Sequence, residues 1–211
     1  AQSVIAYDPT GKRAIFTDLK DVQEQVFPVE RFKAALAGCH LAALCNINFS
    51  RPFLAVAKKA GIPIATDVHT LSRLDDDYNR DFMQAAAILF MSDERLPAAP
   101  EDFARQVLAR FPARILVIGL GSQGALLALR GDRSFTRLPA LRTRPVVNTI
   151  GAGDALFSSF LHSYLQNGDP YLALRKAMVF ASYKIGATSA ADGLLDAAGL
   201  EALYQDVYET G

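Results

Sequence analysis

Apolar residues along this chain follow two alternating rhythms, short uninterrupted runs and longer stretches with a three-to-four residue repeat, and together they predict strands alternating with helices. Residues 1–7 read as a strand, 8–11 as a turn and 14–17 as the returning strand. Residues 29–37 are helical with Gly38 beyond their end, 41–47 are extended, and 52–60 are helical before Gly61. Buried strands follow at 62–66 and 87–91, separated by a polar loop and a helix near 78–86; 100–110 reads as a helix and 115–118 as another short apolar strand. Residues 125–129 and 134–138 form a second hairpin around Arg130-Gly131-Asp132-Arg133, and Val146 and Val147 read as the end of a strand. A helix over 155–166 carries its stripe at Leu156, Phe157, Phe160, Leu161, Tyr164 and Leu165. Gly168-Asp169-Pro170 then stops one helix and starts the next, as a glycine beyond a C-terminus and an N-cap Asp with Pro at the first helical position do. Leu174, Ala177, Met178, Ala181 and Ile185 keep one face apolar in that second helix, which predicts an antiparallel pair. The alternation implies an α/β fold with a mostly parallel sheet covered by helices on both faces, and ligands at the carboxyl ends of its strands.

Composition narrows the class. The chain has 211 residues, 51% hydrophobic and 21% charged, enough for one sizeable domain and not a disordered composition. Lys plus Arg and Asp plus Glu both number 22, so no net field points to nucleic acid or an acidic membrane surface. No apolar run approaches a membrane span, because Gly119, Gly121, Ser122 and Gln123 interrupt the longest one. The start of the chain carries neither the basic residues nor the apolar core of a signal peptide. Cys39 and Cys45 are expected to be small buried hydrophobes in a reducing, cytoplasmic setting. His40, His69 and His162 form no ligand pattern with them, so a structural zinc site lacks support.

The chemistry concentrates in Asn148-Thr149-Ile150-Gly151-Ala152-Gly153-Asp154, at the start of the predicted 155–166 helix. First-turn N–H groups have no intrahelical partner, and glycines remove the side chains that would keep a phosphate away. Two glycines at such a place also serve simply to shape a turn, and Asp154 would suit the positive end of the helix dipole. A carboxylate beside an anion hole nonetheless repels a bound phosphate unless it has a task there, such as accepting the proton of an attacking hydroxyl, which suggests phosphoryl transfer.

A second motif, Gly119-Leu120-Gly121-Ser122-Gln123-Gly124, matches the dinucleotide pattern Gly-x-Gly-x-x-Gly after a strand and raises NAD(P) oxidoreduction as an alternative. In a dinucleotide site the third glycine opens a long helix, and an acidic residue about 20 positions on holds a ribose. Here a short segment leads from Gly124 into a turn, with Arg142 and Arg144 further on, so a hairpin is the better reading.

The two motifs and their spacing resemble those of the carbohydrate kinase family that contains ribokinase and fructokinase, the PfkB family. The resemblance covers essentially all 211 residues but the later two-thirds of that family's chain, which implies that the opening segment with its sugar-binding glycines and central strands is not in this sequence. It implies a ribokinase-like three-layer sandwich: one unit over 1–211, with residues 1–20 as a partial lid hairpin and 21–211 as the nucleotide-binding and catalytic portion. It further implies an ATP- and magnesium-dependent phosphotransferase acting on a hydroxymethyl group of a sugar, nucleoside or related small molecule. Asp154 would be the base and touch the acceptor, and the backbone at Gly151, Ala152 and Gly153, with Asp154 N–H, would stabilise the transferring phosphoryl. Ser92, Gly119, Gly121, Ser122 and Gly124 would line the nucleotide, and Asp67 would sit near the acceptor. Asn148 stands where relatives have an acidic residue that helps hold a monovalent cation, which argues against potassium activation. Ser92-Asp93-Glu94-Arg95 stands where the family has Asn-x-x-Glu, linked through water to magnesium and phosphate; Glu94 and Asn148 are the metal-site candidates. Gly11-Lys12-Arg13 resembles the turn of the family's lid strands, which in many members form a dimer contact. A phosphate- or nucleotide-binding member of the same fold without catalysis is the alternative that Asn148 and Arg95 keep open.

Overall fold

The computed structural model of the protein describes residues 1–7 and 13–209. Strands β1 (Gln2–Tyr7) and β2 (Arg13–Asp18) pair antiparallel as a separate two-stranded sheet, with Val4 opposite Phe16. The intervening turn, with Gly11 and Lys12, lies outside the described residues.

A six-stranded sheet forms the centre, its strands in sequence order: β3 (Ala42–Ala43), β4 (Ile64–Thr70), β5 (Ala86–Ser92), β6 (Ile115–Gly119), β7 (Ala125–Leu129) and β8 (Thr136–Leu138). The first four run parallel, β7 turns back antiparallel to β6, and β8 reverses again to pair antiparallel with β7. Helices α1 (Val29–Leu36), α2 (Arg51–Lys59), α3 (Arg80–Ala85), α4 (Pro100–Arg110), α5 (Ala152–Asn167), α6 (Pro170–Lys184) and α7 (Ala197–Glu209) complete it.

Both faces of the sheet are covered, and β6 shows why its sequence is apolar throughout. Leu116 and Ile118 join the cluster with Phe53, Phe82, Phe103 and Val107 from α2, α3 and α4, while Ile115 and Val117 face Leu156, Phe160, Leu174 and Ala177 from α5 and α6. A strand buried on both faces has no polar side, so its residues lose the usual alternation. Phe90 meets the rings of Phe157 and Phe160 edge-on at 5.1 and 5.2 Å, which seats α5 on β5. Truncating the fully buried Phe160 to Ala would cost about 3–5 kcal/mol.

The α5–α6 corner follows its sequence signals. Gly168 takes the left-handed conformation (φ 72°) and donates its N–H to Tyr164 O. The Asp169 side chain accepts from the N–H groups of Tyr171 and Leu172, with Pro170 at the first helical position. α7 has no counterpart among the helices expected from the sequence, although Leu200, Leu203, Tyr204 and Val207 carry helical spacing; Leu200 and Tyr204 pack with Val179 and Phe180 of α6. No helix among the described residues is long and apolar enough to cross a membrane.

Three local expectations are corrected. Val146 and Val147 are not in a strand: both are exposed, and the Val147 N–H goes to Ile185 O, because the chain has left the sheet after β8. The 41–47 strand shrinks to Ala42–Ala43, flanked by Ala42 N–H to Pro63 O and Leu44 N–H to Ala65 O, because β4 is its one hydrogen-bonded neighbour among the described residues. Cys39 and Cys45 are free thiols and exposed rather than buried; Cys39 caps α1 by donating Sγ–H to Ala35 O, and Cys45 lies just beyond the short edge strand.

Candidate active site

The turn that opens α5 is fixed from behind. Val147 and Asn148 both donate their N–H groups to Ile185 O, at 2.8 and 2.9 Å. The Asn148 side chain braces the turn in two directions, accepting from Ile150 N–H through Oδ1 and donating from Nδ2 to Thr188 O, each at 2.9 Å. Gly151 then adopts φ 80°, a left-handed conformation that side chains disfavour, and the helix begins at Ala152. The Ala152 N–H folds back onto Thr149 O at 3.2 Å. Gly153 and Asp154 therefore supply the first-turn N–H groups that no protein acceptor engages among the described residues. A Cβ at Gly153 would meet nothing within 4 Å, so the approach to those donors is open. Asp154 is exposed in that same turn.

The strand ends supply a second wall. Ser92 closes β5 and Gly119 closes β6, and the two are paired across the sheet, with Asp67 one strand over on β4 opposite Phe90. β4 carries an irregularity between Asp67 and Thr70, where His69 takes φ 58°. The Asp67 carboxylate accepts the His69 N–H at 2.8 Å, which secures this non-glycine left-handed residue. Strained backbone of this kind clusters at functional sites.

Electrostatics ties the two walls together. Burial pushes the Asp67 carboxyl above its ordinary value, against the pull of His69, and the charge of Asp154 pushes it further. Cys45 feels the same neighbours: although the residue is exposed, protein packed around part of it desolvates the thiol and raises it first, and the charges of Asp154 and Asp67 raise it further. Two carboxylates and a thiol from α5, β4 and the segment after β3 thus share one electrostatic neighbourhood. Cys45 has no counterpart among the sequence-derived site residues; its proximity arises from sheet order, which spacing does not show.

The other candidates divide. Gly121 (φ 55°) and Ser122 lie exposed in a 3-10 turn, Gly121–Gln123, just beyond β6, with open space at the Gly121 Cβ position. Gly124 is buried, and a Cβ there would stand 1.9 Å from Leu138 O, so its glycine is demanded by the β7–β8 hairpin. It opens a strand and no helix, unlike the third glycine of a dinucleotide site. The Ser92 hydroxyl accepts the Glu94 N–H at 3.3 Å, holding exposed Glu94 near the end of β5. Among the described residues no three His, Cys, Asp or Glu side chains gather in a metal-binding group.

The architecture is that of an α/β protein with a glycine-opened helix start near the carboxyl ends of a parallel sheet, an arrangement able to accommodate a phosphorylated ligand. The signature of the pfkB family of carbohydrate kinases matches residues 5–197, and the chain belongs to that family. It is 24% identical over 194 residues to an acarbose 7(IV)-phosphotransferase of Actinoplanes sp., covering 91% of this chain and 64% of that enzyme. It is 33% identical over 121 residues to an ATP-dependent ribose-1-phosphate kinase of Halopiger xanaduensis, covering 57% of this chain and 39% of that enzyme. Among solved structures, a microbiome-derived acarbose kinase, Mak1, superposes with a TM-score of 0.85 at 28% identity, over 96% of this chain and 68% of that one. The fold is ribokinase-like, and the chain spans less than two thirds of the length of these two curated relatives.

Proposed function

We propose that this protein transfers the terminal phosphoryl group of ATP to a hydroxymethyl group of a sugar, nucleoside or related small molecule. The carrying observation is the first turn of α5, where the unengaged N–H groups of Gly153 and Asp154 and the exposed Asp154 carboxylate occupy the same few ångströms of chain. In this reading Asp154 accepts the acceptor's hydroxyl proton as its oxygen bonds to the γ-phosphorus, and the bond from phosphorus to the ADP oxygen breaks. The backbone from Gly151 to Asp154 stabilises charge on the equatorial oxygens, with Gly153 and Asp154 the effective donors because Ala152 N–H is held by Thr149. Gly119, Gly121, Ser122 and Ser92 flank the nucleotide, and Asp67 orients the acceptor.

Magnesium would arrive with the nucleotide, held mostly by phosphate oxygens and water, and such binding asks only one or two protein carboxylates. Exposed Glu94, at the end of β5, is of the right hard-oxygen type; Asn148 has its side-chain amide committed to Ile150 and Thr188. The same reading takes residues 1–211 as one ribokinase-like unit working in the cytoplasm, with β1–β2 as part of a lid. The exposed Val4 and Phe16 on that ribbon offer an apolar strip to a second copy.

The test is ATP-dependent phosphorylation by the intact protein across a panel of mono- and oligosaccharides, sugar phosphates and nucleosides. Turnover on at least one acceptor supports the reading. ATP binding without turnover on any acceptor would favour a nucleotide-binding member of the family that does not catalyse.

A further inference from the structure

Among the described residues one buried charge takes no part in the proposed phosphoryl transfer. Lys184, the last residue of α6, is 1% exposed, and among the described residues no carboxylate pairs with it. Its ammonium donates to Ser189 O at 2.6 Å. The loop's own acid, Asp192, is turned instead to the hydroxyls of Ser189 and Thr188. An unpaired buried ammonium is costly, so a lysine persists there only where something else needs its charge.

The position of Lys184 identifies that need. A Cβ at Gly151 would stand 3.5 Å from its Cε and 3.4 Å from Ala190 O, so the lysine stem and the loop after α6 lie directly against the turn that opens α5. Three carbonyl oxygens of the segment 185–189 accept either from this turn or from the lysine beside it. Ile185 O takes the N–H groups of Val147 and Asn148, Thr188 O takes the Asn148 amide, and Ser189 O takes Lys184. Arg144 adds a second cation at the end of α6, beside this loop: its guanidinium lies 3.7 Å over the Tyr183 ring and donates to Tyr183 O, and its buried Nη2 has no partner among the described residues. A cluster of carbonyl oxygens behind an anion-binding turn would weaken that turn's affinity for negative charge unless a positive charge offsets it.

We infer that Lys184 is a positioning residue whose ammonium acts as a tethered monovalent cation, neutralising the carbonyls of the 185–189 segment and holding the Asn148–Gly151 turn in the shape that presents the Gly153 and Asp154 N–H groups. The inference rests on the proposed kinase reading for its catalytic readout, and on anion binding alone for its physical one. It accounts for Asn148 as well, since a neutral amide is the appropriate neighbour once the positive charge is built into the chain.

The experiment compares the intact wild-type protein with Lys184→Ala and Lys184→Met, in potassium chloride and in tetramethylammonium chloride of equal ionic strength. Wild-type turnover changes less than about twofold between the salts, because the cation is covalently supplied. Lys184→Ala lowers kcat by at least about tenfold, as expected for disturbing the support of an anion hole. It leaves the KM for the acceptor unchanged and regains activity with potassium, ammonium or methylammonium, while tetramethylammonium is too large to help. Lys184→Met, which fills the space without charge, shows the loss with little rescue. A wild-type protein that needs added potassium, or a folded Lys184→Ala with wild-type kcat, overturns the inference; the first outcome reads even if both variants fail to fold. Should the wild type turn over no acceptor, the kinase reading fails separately, and calorimetry with inorganic tripolyphosphate decides the Lys184 claim. Lys184→Ala then binds it at least about tenfold more weakly with methylammonium restoring the affinity, whereas equal binding overturns the claim.

Discussion

Two of this protein's glycine-rich turns need glycine for opposite reasons. At Gly124 the space a side chain would fill already holds backbone, with Leu138 O 1.9 Å and Ala140 N 2.7 Å from a Cβ position. At Gly153 the corresponding space is empty to 4 Å and opens onto N–H groups that have no acceptor among the described residues. One glycine exists so that the protein can pack against itself; the other leaves room for something that is not protein. Occupancy of the missing side chain's place therefore separates structural glycine from ligand-facing glycine, a distinction that a pattern such as Gly-x-Gly-x-x-Gly does not make.

The contrast is broken most severely at Gly124. Its φ of 101° and the overlap with Leu138 mean that Gly124→Ala should cost at least about 3 kcal/mol, lowering the melting temperature by at least about 6 °C or preventing folding. A melting temperature within about 2 °C of wild type would show that the hairpin adapts. Gly153→Ala should behave in the reverse sense. Gly153 lies within α5, so alanine adds up to about 1 kcal/mol of helix stability while its methyl group obstructs the phosphate, and turnover should fall about tenfold or more. Parallel thermal melts and steady-state kinetics check this, and higher stability with unchanged kcat would detach the turn from catalysis.

The smallest effect probes the link between the α5 turn and the strand ends. Burial and the Asp154 charge both raise the Asp67 carboxyl, so its folded value lies above its unfolded one. The native state then binds the proton more tightly, and the Asp67 contribution to stability is greatest in acid and is lost as pH rises from about 4, the ordinary carboxylate value, through the raised folded value. Asp67→Asn should flatten that decline in a series of melts across pH. Asp154→Asn should move the Asp67 titration, followed by NMR, toward its ordinary value. No movement would place the two carboxylates too far apart to share a site.

Much of this arrangement is legible in the residues themselves. The helix–strand alternation, the Gly168-Asp169-Pro170 corner and the 125–138 hairpin depend on local periodicity and capping, which sequence carries directly. Val146 and Val147 misled because β-branched residues favour extended backbone wherever it occurs, and only the ladder distinguishes a strand from an extended loop. The proximity of Cys45, Asp67 and Asp154 depends on sheet order and on which helix end faces which strand end, neither of which spacing encodes. Lys184 did leave a signal. Four positions after Phe180 and seven after Ala177, it falls on the apolar face of α6, where a charge is out of place unless it is used.

Whether the first turn of α5 joins an anion hole to a base is decided by kcat of the intact Asp154→Asn protein at saturating ATP, measured beside its ATP affinity. The account predicts a loss of about 10²–10⁴-fold in kcat with ATP binding essentially unchanged, because the amide keeps the turn's shape and its N–H groups and removes only the proton acceptor. Near-normal turnover would contradict it.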